Sequence, residues 1–128
     1  MKLIVAGSRS IQDTKLVWQR INDFLSTNRA TEFVNGGCPT GPDDDAKCYA
    51  EYHSIPTVFF KADWSKNGKA AGPIRNRQMA EYADHLLLIW DGQSKGSLNM
   101  KFEMRKLGKP ITECIIGERS SDDEEQGW

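Results

Sequence analysis

Short apolar runs alternate with amphipathic stretches along this chain, and that alternation restricts the fold more than any other feature. Leu3-Ile4-Val5-Ala6, Glu32-Phe33-Val34-Asn35, Pro56-Thr57-Val58-Phe59-Phe60, His85-Leu86-Leu87-Leu88-Ile89-Trp90 and the segment from Pro110 to Ile116 have strand length and strand composition. Between them lie helical patterns. From Asp13 to Leu25, the residues Leu16, Val17, Ile21, Phe24 and Leu25 share one helical face. From Asp43 to His53, the inward positions are Ala46, Tyr49, Ala50 and His53. A further helix is predicted from Pro73 to Tyr82. Another carries Leu98, Met100, Phe102, Met104 and Leu107 and stops at Gly108. The segment Lys61 to Gly72 reads as a long polar loop. The unbroken apolar run from His85 to Trp90 marks a central strand covered on both faces. Strands joined through helices pair in parallel. The expected fold is therefore α/β: a Rossmann-like, three-layer α/β/α arrangement around a mainly parallel five-stranded sheet.

At 128 residues the chain makes one core. The domain is expected over 1–116. Residues 117–128 include Ser120-Ser121-Asp122-Asp123-Glu124-Glu125, lack apolar periodicity and are expected to form an acidic, mobile tail. Trp128 either docks or frays with it. The opening Met1–Gly7 reads as a strand and not as a signal peptide, and no apolar run is long enough to span a bilayer, so the expectation is a cytoplasmic protein without membrane contact. An odd cysteine count, Cys38, Cys48 and Cys114, fits reduced thiols, with Cys48 and Cys114 expected in the core. Neither these nor the isolated His53 and His85 have metal-ligand spacing. No metal and no cofactor is implied. The formal net charge of −1 argues against nucleic acid as a partner, so any basic site must be local.

Such a site is suggested by Gly68-Lys69-Ala70-Ala71-Gly72-Pro73-Ile74-Arg75-Asn76-Arg77-Gln78-Met79. Pro73 suits a helix start, where free N–H groups and the helix dipole favour an anion. Arg75 and Arg77 would add guanidinium donors, with Asn76 between them. In an open parallel sheet, ligands sit beyond the carboxyl ends of the strands. Gly7-Ser8-Arg9-Ser10, Gly36-Gly37-Cys38-Pro39-Thr40-Gly41-Pro42-Asp43 and Asp91 to Ser97 all follow strands and fall on that edge. Glycines there let backbone amides approach an anion, and Ser8, Thr40 and Ser97 can donate hydroxyl bonds. Asp43 either accepts from ribose hydroxyls or caps its helix. Trp64 either stacks on a base or anchors the loop. Lys66 and Lys69 either touch phosphate or are solvated. No Walker-type phosphate loop occurs.

These motifs resemble the YspA/YpsA-related branch of the SLOG superfamily. The matching residues are Val5-Ala6-Gly7-Ser8-Arg9, Gly36 to Asp43, Ala62-Asp63-Trp64 with Gly68 to Met79, and Gly96-Ser97 with Met100. The resemblance covers Met1 to about Ile116, with Pro42 where the family usually has alanine. It implies a Rossmann-type fold that binds nucleotides or nucleotide-derived ligands. The chain is also distantly similar to the lonely-guy phosphoribohydrolases, which cut the N-glycosidic bond of nucleoside monophosphates. On that likeness Arg75 matches their arginine, Met79 the methionine after it, and Gly96-Ser97 their glycine-rich turn. Met100 stands where they carry glutamate. Methionine neither stabilises an oxocarbenium-like state nor activates water.

Two functions follow as expectations. One is a sensor or sequestering protein for an ADP-ribose-like ligand, a cyclic nucleotide or a nucleoside phosphate. Its binding residues would be Gly7, Ser8, Arg9, Gly36, Gly37, Thr40, Gly41, Asp43, Trp64, Gly72, Arg75, Asn76, Arg77, Gly96 and Ser97. The other is a nucleotide N-glycosidase using Glu103, Asp43 or Asp91 as a non-standard carboxylate. A homo-oligomer is expected in either case, and the host, bacterial or phage, is left open.

Overall fold

In the computed structural model, which describes residues 1–116, the chain folds as a five-stranded, all-parallel sheet with helices on both faces. The acidic-tail expectation lies outside the described residues. The strands are β1 (Lys2–Gly7), β2 (Glu32–Asn35), β3 (Thr57–Phe59), β4 (His85–Trp90) and β5 (Ile111–Ile115), in the order β3-β2-β1-β4-β5. Helices α1 (Thr14–Leu25) and α2 (Pro42–Tyr52) link the first three strands. A short helix α3 (Trp64–Asn67), a 3₁₀ turn (Gly68–Ala70) and α4 (Ala71–Tyr82) cross to β4, and α5 (Lys95–Lys106) leads to β5.

Alternate side chains of β1, β2 and β4 feed two cores. Leu3, Val5, Leu87 and Ile89 face Val17, Ile21 and Phe24 of α1 and Ala46, Tyr49 and Ala50 of α2. Ile4, Leu86, Leu88 and Trp90 face Met79 and Ala80 of α4 and Met100 and Met104 of α5. Both faces of β1 and β4 are thus covered, which is why their sequences are apolar without a break.

Four details differ from the sequence reading. The segment 61–72 is not an irregular loop. Asp63 Oδ1 accepts from Lys66 N at 3.1 Å and so caps a helical stretch that runs on into α4. Consequently α4 starts at Ala71, before Pro73, and the Ala71 amide is already bonded to Gly68 O. Pro73 sits inside the first turn, where its missing N–H costs nothing. Gly96 and Ser97 belong to the first turn of α5 and not to the loop before it. Cys48 lies on the outer side of α2 and is exposed, and Cys114 is half-buried because β5 is an edge strand.

No helix among the described residues is long and apolar enough to cross a membrane. Among the same residues, no group of three or more His, Cys, Asp and Glu side chains could hold a metal ion.

Candidate functional site

Strand order reverses between β1 and β4: the chain winds outward from β1 to β3, then returns to the other side of β1. Loops diverge at such a point and leave a crevice beyond the strand ends. Here the crevice encloses about 920 Å³, within the range of small-molecule sites.

Its walls are strand-end turns. Gly7 ends β1 and Ser8 and Arg9 follow it, Gly36, Gly37, Cys38 and Pro39 follow β2, and Lys61 and Ala62 follow β3. Ser94 to Ser97, with Asn99 and Met100, close the β4 side. These turns are fixed to one another. The Ser8 and Ser94 hydroxyls share a hydrogen bond of 2.9 Å, and Asp91 N donates to Ser8 Oγ at 3.1 Å. Buried Asn35 donates to Asp43 O at 2.8 Å and accepts from Gly37 N at 2.7 Å, so one amide side chain sets the path of the β2 turn. Such a scaffold holds backbone groups in place before any ligand arrives.

Arg75 enters the crevice from α4. Its Nη1 donates to Gly36 O at 2.7 Å and its Nε to Asn76 Oδ1 at 3.0 Å. Asn76, itself buried, donates to Asn99 Oδ1 at 2.9 Å and so ties the guanidinium to α5. A Cβ at Gly36 would stand 2.7 Å from Arg75 Nη1, so a larger residue there would displace the guanidinium from Gly36 O. Two of the five guanidinium donors are engaged within the protein, which leaves three for other acceptors. The helix whose free N-terminal amides border the space is α5, at Lys95, Gly96 and Ser97, and Ser94 makes no capping bond to them.

Asp43 is the carboxylate of this crevice. It is buried at the start of α2, across Gly36 from Arg75. Burial pushes its carboxyl from 3.8 up to about 6, while Arg75 and the amides of Cys38 and Gly36 pull the other way. The unfolded chain therefore loses this proton first. Between about pH 4 and 6 the native state holds more protons, and stability falls as pH rises, by about 3 kcal/mol in all. Asp43→Asn should melt higher than the unsubstituted protein at pH 8, with most of that advantage gone at pH 4. An equal advantage at both pH values would mean that the gain does not come from the ionisation of Asp43.

Several other sequence candidates lie outside the crevice lining, while Trp64 and Gly72 belong to it. Arg77 is exposed and outside the crevice lining, because two residues along a helix rotate a side chain by about 200°. The guanidinium pair expected from the sequence is therefore a single arginine. Thr40 is exposed beyond the lining. Gly41 packs against the β1 turn, where a Cβ would lie 3.0 Å from Arg9 Cα, and its φ of +76° suits glycine. Glu103 is buried outside the crevice and pairs with Lys106 at 3.3 Å. Asp91 accepts from Gln93 N, Ser94 N and Ser10 Oγ and shapes the β4 turn, also outside the lining. Trp64 and Gly72 both line the crevice. The indole packs over Gly72, 3.3 Å from where a Cβ would be, yet is 60% exposed. It is thus both an anchor and an accessible aromatic face. Met100 is buried on the crevice wall, so the position matched to a glutamate presents an apolar surface.

Sequence reasoning missed Lys61, Ser94, Lys95 and Asn99 as lining residues. Lys61 had a readable signal, since it directly follows a strand. Asn99 had none, because its place depends on how α4 packs against α5.

A doubly wound parallel sheet with a ligand-sized crevice at its switch point defines the class: a Rossmann-like α/β domain. The chain belongs to the YspA, cpYpsA-related SLOG family, whose family model matches residues 1–67. The Gene 61 protein of Mycobacterium phage D29 is 31% identical over 116 residues, covering 86% of this chain and 93% of the phage protein. No solved structure matches significantly. Family membership points to nucleotide-related binding or glycosidase-like chemistry. The Arg75 helix and Gly96-Ser97 lie beyond the matched stretch.

Proposed function

We propose that this protein binds a nucleotide-derived ligand, an ADP-ribose-like molecule, a cyclic nucleotide or a nucleoside phosphate, as a sensor or sequestering protein. One observation carries the reading. Arg75, the α5 amides and the turns after β1 and β2 border one crevice, while the wall at Met100 is apolar. Anion-binding groups are present there, and the carboxylate that would make the crevice a glycosidase of the lonely-guy kind is replaced. Trp64 supplies an aromatic face for a base and Arg75 a fork for phosphate.

Titration calorimetry with ADP-ribose, cyclic nucleotides and nucleoside phosphates tests this. Binding should be of one ligand per crevice and accompanied by a change in tryptophan fluorescence that Trp64→Phe removes. Absence of heat with all of them, from folded protein, removes the reading. Self-association is part of the proposal. Leu98 and Phe102, one turn apart on α5, are 54% and 56% exposed and would meet a second copy. A monomer mass by light scattering would exclude it.

A second reading is favoured by Asp43. A buried carboxyl at about 6 beside a crevice can give or take a proton near neutral pH. As an N-glycosidase, the protein would release free base from a nucleoside monophosphate, and Asp43→Asn would abolish that release. Intact nucleotide after long incubation at high protein concentration excludes it.

A further inference from the structure

Arg75 is a partition between two hollows. On one side lies the crevice. On the other is a smaller cavity of about 200 Å³, whose polar lining is Lys61, Asp63, Lys66, Asn67, Arg75 and Gln78. Lys61, Ala62 and Arg75 belong to both linings, so the two spaces share a wall. Lys61 reaches both because its stem runs alongside Gly37, where a Cβ would be 3.5 Å from Lys61 Cγ.

The annex is short of negative charge. Among the described residues, Lys61, Lys66 and Arg75 have no carboxylate within ion-pair distance. Asp63, the one acid in the lining, is engaged through Oδ1. It accepts from Ser65 Oγ at 2.8 Å and Lys66 N at 3.1 Å. Three cations against one carboxylate leave the concave space net positive, which raises its potential and draws an anion. The space holds roughly six waters, enough for a phosphate or carboxylate and below the usual size of a site for a whole small molecule.

Resting on the reading above that the crevice takes a nucleotide-derived ligand, we infer that this ligand carries two separate anionic groups. One lies in the crevice against Arg75, and the second in the annex between Lys61 and Lys66. The class is a nucleotide with a second phosphoryl group, as distinct from a nucleoside monophosphate. The exposed ammonium groups of Lys61 and Lys66 are point charges without a fixed fork. They tolerate variation in the second group while requiring its charge.

Calorimetry at one ionic strength, with the common ribonucleoside 5′-monophosphates, 5′-diphosphates and 3′,5′-bisphosphates, tests the inference. A two-phosphate probe should bind about tenfold more tightly than the monophosphate of the same base, as one charge-assisted contact allows. Lys66→Gln alters an exposed side chain and should bring the two to within about twofold. Equal affinities in the unsubstituted protein, or a preference that survives Lys66→Gln, would overturn it. Monophosphate binding without preference sinks this inference alone. No binding by any of these probes overturns the inference, and the nucleotide reading falls with it only when ADP-ribose and the cyclic nucleotides also give no heat.

Discussion

Gly7→Ala is expected to lower the melting midpoint of the protein by more than about 10 °C. A Cβ at Gly7 would stand 1.7 Å from the carbonyl oxygen of Ile89 and 2.8 Å from both Ile89 C and Pro42 Cγ. The first two atoms are backbone of β4, and Gly7 is in register with Ile89 in the sheet. Relief requires parting β1 from β4 at the centre of a structure whose two cores both depend on that pair. The cost should exceed about 3 kcal/mol, beyond ordinary overpacking. In a domain of this size, that lowers the melting midpoint by more than about 10 °C. Gly96→Ala is the matched control. Nothing lies within 4 Å of a Cβ there, and the residue is in the first turn of α5. It should melt within about 1 kcal/mol of the unsubstituted protein, on the stabler side if helix propensity decides. Circular dichroism melts of the two variants check the pair. A Gly7→Ala protein as stable as Gly96→Ala would show that the β1–β4 approach is looser than described.

This pair also shows how far the sequence could be read. Both glycines were legible as glycines in strand-end turns, and both border the crevice. Sequence could not tell that Gly7 is glycine because a neighbouring carbonyl fills the space, whereas Gly96 borders open space. That distinction depends on strand pairing between residues more than eighty positions apart. The strands themselves were legible because burial on both faces leaves unbroken apolar runs, as in His85–Trp90. The early start of α4 was not, because glycines and polar residues around Asn67-Gly68 hide a helical stretch that begins with the Asp63 cap. The site was legible as a set of loops, since a parallel sheet puts every strand-to-helix turn on one edge. Its inner selection was not. Arg75 and Arg77 look equivalent in sequence, and only the helix phase sends one inward. Glu103 has the right spacing from Met100, three residues on, to share its helical face, yet its side chain is buried outside the crevice lining.

Arg75→Ala is expected to weaken ligand binding by about 100-fold, while Arg77→Ala changes it by less than twofold. Arg75 stands at the wall common to both hollows and holds Gly36 O and Asn76 Oδ1. Truncation removes a charged, forked donor and frees the acceptors that had oriented it. Charge-assisted bonds of this kind contribute roughly 1.5–3 kcal/mol each, and two orders of magnitude in affinity is about 2.7 kcal/mol. Loss of binding through unfolding has a separate signature. Arg75 opposes the burial that raises the Asp43 carboxyl, so its removal pushes that group higher still. Its removal therefore makes ionised Asp43 more costly above pH 6, whereas near pH 4 the carboxyl is protonated in the native state. Binding measured at pH 5.5, where melts of the variant and the unsubstituted protein should lie closer than at pH 8, isolates the contact from the fold. Arg75→Lys completes the series. It keeps the charge and loses the fork, so it should recover part of the affinity but not all of it. If Arg75→Lys binds as weakly as Arg75→Ala, planar recognition outweighs charge and the ligand group meets the guanidinium edge-on. If Arg75→Ala binds as well as Arg77→Ala, the crevice is not the site.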